Sequence, residues 1–234
     1  MKRIIFIVFA VLNSVWAMQT DAFARAGGGD AVGVVLSSGT IIIAILLSPV
    51  ILSMIIYYYI RSKMKKAEAQ KLMQKLASTD RTWNQGLLEK RAREVYFAVQ
   101  KAWTKNDIEL CRAYVSDRLF DHHQDMLTQM AMKGEKNILK QIQLDECTVL
   151  AAHDYKGEDD DEAYIKIVGS LVDYTVDRSG KILRGDNVKP TAFEELWVFA
   201  KHSEYGWVLD EIRKAVDFYQ ISDLKSFSEE NGTK

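Results

Sequence analysis

The sequence contains only two cysteines and two prolines in 234 residues, and its 31 lysines and arginines are matched by 32 acidic residues. Each scarcity excludes something. Cys111 and Cys147 form no CxxC pair and lack the spacing of a zinc site, so neither a disulfide framework nor a metal finger is expected. Two reduced cysteines suit the cytoplasm. A formal net charge of -1 lacks the strongly basic stripe of a general nucleic-acid binder. There is no glycine-rich loop of the phosphate-cradling or dinucleotide kind and no nucleophile elbow, so no cofactor is expected. The acidic run Glu158–Glu162 lacks the alternating ligands and central glycine of a calcium loop and reads as a solvated hairpin tip.

Apolar length is what the chain does have. Thr40–Ile60, TIIIAILLSPVILSMIIYYYI, carries no charged side chain. Crossing a bilayer as one helix takes roughly 20 apolar residues, because every backbone polar group in lipid must be satisfied within the segment. The competing reading is a buried core helix, which the length and flanks disfavour. Pro49 removes one hydrogen bond and predicts a kink, with Ser48 or Ser53 re-satisfying the break. Tyr57, Tyr58 and Tyr59 sit where interfacial aromatic rings settle, and Arg61, Lys63, Lys65 and Lys66 follow directly. Only Arg25 and Asp30 are charged in the preceding loop, so the positive-inside bias places the C-terminal part in the cytoplasm. The first 26 residues, with Lys2 and Arg3, an apolar run Ile4–Trp16 and an Ala-x-Ala site at Ala22 or Ala24, read as a bacterial signal peptide. Cleavage leaves a single-pass protein of the bacterial inner membrane; retention gives two passes. Gly27, Gly28 and Gly29 open a periplasmic link over 27–39.

After the span, 61–79 reads as a basic amphipathic linker helix with a sparse apolar set, Met64, Leu72, Met73 and Leu76. Lys63, Lys65, Lys66, Lys71 and Lys75 suit an anionic lipid surface. A solvated stalk that lifts the domain away from the membrane fits the same composition equally well. From Asp80 to Lys214 the period changes once. Asp80 or Thr82 is a candidate cap for a helix with Leu88, Ala92, Val95, Tyr96, Val99 and Trp103 on one stripe. A short helix over Asp107–Tyr114 follows, then one capped by Ser116 or Asp117 and stopped by Gly134. Beyond Asn137 the residues alternate: a first strand with one bulge near Cys147, a second over Ala163–Val176, and a last pair around Glu204–Gly206. Helices first and a long antiparallel meander after describe an α+β domain. The tail, 215–234, reads as a partly ordered helix from Asp217.

Few residues in this domain invite chemistry. His122 and His123 are adjacent on a helix, about 100° apart, and do not meet one ion. His123 shares a face with Leu119, Met126 and Met130 and reads as a core-edge histidine. Asp117, Asp121 and Asp125 form a mutually repelling ridge that belongs in water. Asp173, with His153 or His202, is a candidate acid/base pair inside a conical pocket.

The stretches WNQGLLEKRAREVYFAVQKAW from Trp83 and DIELCRAYVSD from Asp107, the turn Gly134–Asn137, and the strands ELWVF from Glu195 and GWVLDEI from Gly206 together resemble the Tim44-like domain family over about Asp80–Lys214. The resemblance implies a cone-like domain of the nuclear-transport-factor-two class, helices packed on a curved antiparallel sheet, with no catalytic residues to carry over. It implies a membrane-docked adaptor or scaffold that binds a protein partner and anionic lipid, not nucleic acid, in membrane-protein translocation, assembly or quality control. The chain lacks the long N-terminal region through which the mitochondrial member recruits its motor. The alternative is a small-molecule binder or enzyme using the cone pocket.

Overall fold

A computed structural model describes residues 38–156, 160–214 and 223–229; between 38 and 51 only the side chains of Ser48 and Pro49 are described. The signal peptide, the glycine link and most of the tail lie outside these residues. Most side chains of the apolar stretch before Leu52 do too. Among the described residues no helix is long and apolar enough to cross a membrane. The chain divides into two units, Met1–Ile55 and Ile56–Lys234, and the second carries the fold.

The first helix, α1, runs Ser38–Leu76 and continues through Pro49. Its last turns are not a linker. Ala69, Met73 and Leu76, at spacings of four and three, are buried in the main hydrophobic core. Asp80 then caps a short 3-10 turn, Arg81–Trp83, and Asn84 caps α2, Gln85–Lys105, by accepting from the Leu87 amide at 3.0 Å. The cap of α2 is thus Asn84, later than either expected residue, because the 3-10 turn intervenes to bury Trp83. Leu88, Ala92, Val95, Tyr96, Val99 and Ala102 make the buried stripe of α2, with Trp103 at its edge. A 3-10 segment, Ile108–Tyr114, leads to α3, Asp117–Lys133, capped by Ser116 and ended by Gly134 with φ 70°. That left-handed angle is the reason a glycine stops the helix there.

Five strands follow in sequence: β1 Lys136–Asp154, β2 Glu162–Val176, β3 Ile182–Gly185, β4 Thr191–His202 and β5 Gly206–Lys214. A two-residue strand, β6 Phe227–Ser228, closes the edge. The sheet order is β5-β4-β2-β1-β6, antiparallel except for the last pair, and β3 pairs with β2 beyond the end of β4. Three register shifts bend β1, between Lys140/Gln143, Leu144/Glu146 and Val149/Ala151, where the alternation shows one.

Alternation divides the sheet into two faces. Ile165, Ile167, Trp197 and Phe199 face α2 in the main core, whereas Tyr164, Leu196 and Val198 form a second cluster against Tyr58 and Leu224. Edge-on packing of Trp83 and Trp207, centroids 4.9 Å apart, joins the α1–α2 connection to β5, and the Trp207 indole N–H donates to the Thr82 carbonyl at 3.0 Å. Arg91 ties α2 to the same region, its guanidinium donating to the carbonyls of Trp207 and Ala113 at 2.9 and 2.8 Å.

Because α1 ends inside the core, its buried face is expected to behave as domain, not linker. Met73→Ala is expected to destabilise the protein by about 2–5 kcal/mol, the usual cost of emptying a core methionine site. The neighbouring exposed Gln74→Ala should stay within about 0.5 kcal/mol. Chemical denaturation of the two variants in parallel measures both; equal small effects would make the last turns of α1 a linker after all.

Candidate functional site

Two regions bear on function: the basic helix and the cavity between α3 and the sheet. On the helix, Lys63, Lys71 and Lys75 are exposed, Lys66 is half-buried, and Lys65 is buried at 7% exposure beside Glu68, 3.4 Å away. At 100° per residue Lys65 falls on the side of Ala69 and Met73, so four of the five lysines remain available to a lipid surface. Tyr58 also departs from the interfacial belt. It is half-buried against the second sheet face, its hydroxyl donating to the Glu194 carboxylate at 2.7 Å.

The cavity measures about 940 Å³. Its floor is aromatic and aliphatic, with Trp103, Leu119, Phe193 and Trp197 among its walls. Charge sits in pairs: Arg118 with Asp210 at 2.6 Å, Arg184 with Glu135 at 2.6 Å, and Asp173 accepting from the Asn137 amide at 2.7 Å. Asp210 raises the Arg118 pKa further, and the hydrogen bond from Arg213 lowers that of Glu211. His123 is buried at this cavity, edge-on to Trp103 with centroids 5.3 Å apart, as a core-edge histidine should be. His122 is exposed, and the ridge Asp117, Asp121 and Asp125 points to water, Asp117 pairing with Arg112. Such a cleft offers an apolar floor and a rim of fixed dipoles, a setting for binding an apolar group.

The three residues of the acid/base alternative are not brought together. His153 pairs across from Glu162 at one end of β2, whereas Asp173 lies opposite Leu139 toward the other end. Those positions on β2 are separated by roughly 35 Å of extended chain. His153 is packed between Phe227 and Tyr164, with centroids at 4.5 and 4.6 Å. His202 accepts from the amides of Glu204 and Tyr205 in the β4–β5 turn, at 3.2 and 3.4 Å. Only Asp173 reaches the cavity.

The acidic run also differs from a solvated tip. Asp161 is 2% exposed, accepting from the Tyr155 amide at 3.0 Å and from Lys201, which also donates to Asp80 at 2.7 Å. Burial pushes the Asp161 carboxyl up to about 6. One lysine on β4 therefore gathers carboxylates from the α1–α2 connection and the β1–β2 turn. Spacing in sequence carries no sign of it, since the partners are 121 and 40 residues away.

Helices packed on a bent, mainly antiparallel sheet define an α+β domain. Residues 69–214 match the Tim44-like domain, and the chain belongs to that family. The match begins at Ala69, where α1 enters the core, ahead of the Asp80 boundary drawn from the sequence. The intermembrane space region of the chloroplast protein ARC6, known from a crystal structure, is similar at 13% identity and a TM-score of 0.39, covering 54% of this chain and 96% of that one. No curated protein matches the chain.

Burial separates the lysines into two groups with different expected effects. Changing Lys63, Lys71 and Lys75 together to glutamine in a 56–234 fragment should weaken low-salt binding to anionic vesicles by at least about tenfold, given roughly 1 kcal/mol per lysine near the surface. Lys65→Gln should change binding less than about twofold and show instead as a loss of stability. Vesicle co-sedimentation measures the first; equal binding of all variants would overturn the lipid-surface assignment.

Proposed function

We propose that this is a non-enzymatic adaptor anchored in the bacterial inner membrane by the stretch Thr40–Ile60. Its cone-like Tim44-like domain lies on the cytoplasmic side and binds a protein partner in membrane-protein translocation, assembly or quality control. The observation that carries the reading is the position of α1. The helix that continues from the apolar stretch is built into the domain at Tyr58, Ala69, Met73 and Leu76, so no free stalk separates Ile56 from the core. Exposed apolar residues on the described part of this helix, Leu52, Met54, Ile56, Tyr57 and Ile60, need a non-aqueous surrounding, which lipid supplies. The partner-binding surface in this reading is the cavity, whose aromatic floor accepts an apolar side chain and whose paired rim charges orient it.

The same cavity, at about 940 Å³, is large enough for a small molecule and sustains the second reading, a ligand-binding domain. A photoreactive residue at Met126, which lines the cavity, separates the two. In growing cells the adaptor reading expects discrete protein adducts from position 126 and none from the exposed control Met132 on the same helix, outside the cavity wall. Protein adducts absent at 126, with a small molecule retained there instead, would favour the second reading.

Orientation is tested separately. A reporter fused after Lys234 is expected to behave as cytoplasmic, following the positive-inside bias of the basic residues after Ile60. An active periplasmic phosphatase at that end would overturn the topology.

A further inference from the structure

Charge is matched at one end of the cavity and not at the other. Of the carboxylates on its wall, Asp210 pairs with Arg118 and Glu211 with Arg213 at 2.8 Å, Glu195 accepts from the Trp197 indole at 2.9 Å, and Asp173 accepts from the Asn137 amide. The end near Arg118 is therefore balanced, cation against anion. The end near the arm that joins β2 to β4, residues 177–190, has cations to spare. Arg184 of this arm lies opposite Thr175 on the cavity wall and binds Glu135 through one terminal nitrogen, with its side chain 63% exposed. Arg178 lies over the last turn of α3. A Cβ on Gly134 would stand 2.4 Å from the Arg178 Nε, so the glycine that stops the helix also makes room for the guanidinium. Lys133 follows Met130 of the cavity wall by three residues and falls on the same face of α3. Lys133 and Arg178 are exposed, and neither has an acidic partner among the described residues.

The acidic groups of the arm do not change that balance. Asp177 accepts from the amides of Ser179 and Lys181 at 2.8 and 3.1 Å, and Asp186 from those of Val188 and Lys189 at 2.7 and 2.9 Å. Both are turned to the arm's own backbone, and against them stand Arg178, Lys181, Arg184 and Lys189. Between the two ends the floor is apolar and long. Along α3 the wall runs from Arg118 to Met130, about 18 Å of helix, and it faces Trp103, Leu139, Leu171 and Phe193. An apolar trough of that length, with surplus positive charge at one end only, suits an elongated chain whose own charge is placed the same way.

We infer that the cavity takes a segment of a partner protein with apolar side chains on the floor and glutamates or aspartates at the arm end, where Lys133, Arg178 and Arg184 receive them. A guanidinium offers five donors, so Arg184 takes a second carboxylate without releasing Glu135. A basic segment meets repulsion at the arm, and a neutral one leaves Lys133 and Arg178 unmatched. The inference rests on the adaptor reading, in which the cavity is the partner-binding surface, and adds the partner's chemistry and the direction in which it lies.

The test uses the full chain in phosphatidylcholine nanodiscs, whose neutral surface does not sort peptides by charge. Fluorescent peptides share one apolar core of leucine and phenylalanine with a photoreactive group in it, and carry glutamates, serines or lysines at the N- or C-terminal end. Anisotropy reads binding, and mass spectrometry of the adducts reads the site. With the glutamates at one of the two ends, the acidic peptide should bind more tightly than the lysine peptides by at least about fivefold at low salt and lose that preference at high salt. Its adducts should fall on cavity residues such as Leu119 and Met126. Changing Lys133 and Arg178 together to glutamine should bring it down to the serine peptide, and changing both to glutamate should reverse the order. Both positions are exposed, and Arg184 stays in place because Glu135 depends on it. Changing Lys63, Lys71 and Lys75 to glutamine should leave the preference intact; its loss there would move the acidic peptide to α1 and overturn the inference. Equal binding of all peptides with adducts in the cavity overturns the acidic assignment and leaves the adaptor reading standing. Adducts only outside the cavity overturn both. No binding of any peptide overturns the inference, and oleate retained in the cavity at the same time favours the ligand-binding reading over the adaptor.

Discussion

The fold depends on the burial of Ala69, Met73 and Leu76, the place where a helix that begins in apolar sequence becomes part of a water-soluble core. These three residues pack with Trp83 and the stripe of α2, so the helix entering from the apolar stretch and the helix that supports the sheet share one hydrophobic cluster. The α1–α2 connection is then held by Trp83 against Trp207 and by Lys201 on Asp80.

The two faces of the sheet are used differently. Residues such as Ile165, Trp197 and Phe199 meet α2 and build the core, and where α3 diverges from the sheet the same face opens into the cavity. The opposite face carries Tyr164, Leu196 and Val198, covered by Tyr58 from α1 and Leu224 from the tail segment. With the sheet covered on one side by α2 and on the other by Tyr58 and Leu224, the cavity and the exposed 177–190 arm stand open among the described residues. The two are joined by Arg184, which belongs to the arm and also lines the cavity.

Much of this was legible in the residues because it rests on local patterns. The stripe Leu88–Val99, the Ser116 cap, the Gly134 stop and the alternation over Ala163–Val176 each follow from a period of 3.6 or 2 or from a single capping side chain. What escaped depends on distant partners. Lys65 reads as a surface lysine until Ala69 and Met73 are known to be buried beside it; Asp161 reads as part of a solvated run until Lys201 arrives from β4. The acid/base alternative failed for the same reason. His153, Asp173 and His202 share a sheet, but strand register places Asp173 toward one end and both histidines toward the other, and register is not visible in composition.

The burial of Lys65 also bears on how a basic helix beside a membrane should be read. A helix with lysines around most of its circumference has two solutions, to stand in water or to lie on lipid, and its composition does not choose between them. Here the domain takes one face of the helix. By claiming the face of Ala69, Met73 and Leu76, it leaves Lys63 and Lys71 on the far side and removes the freedom a stalk would need.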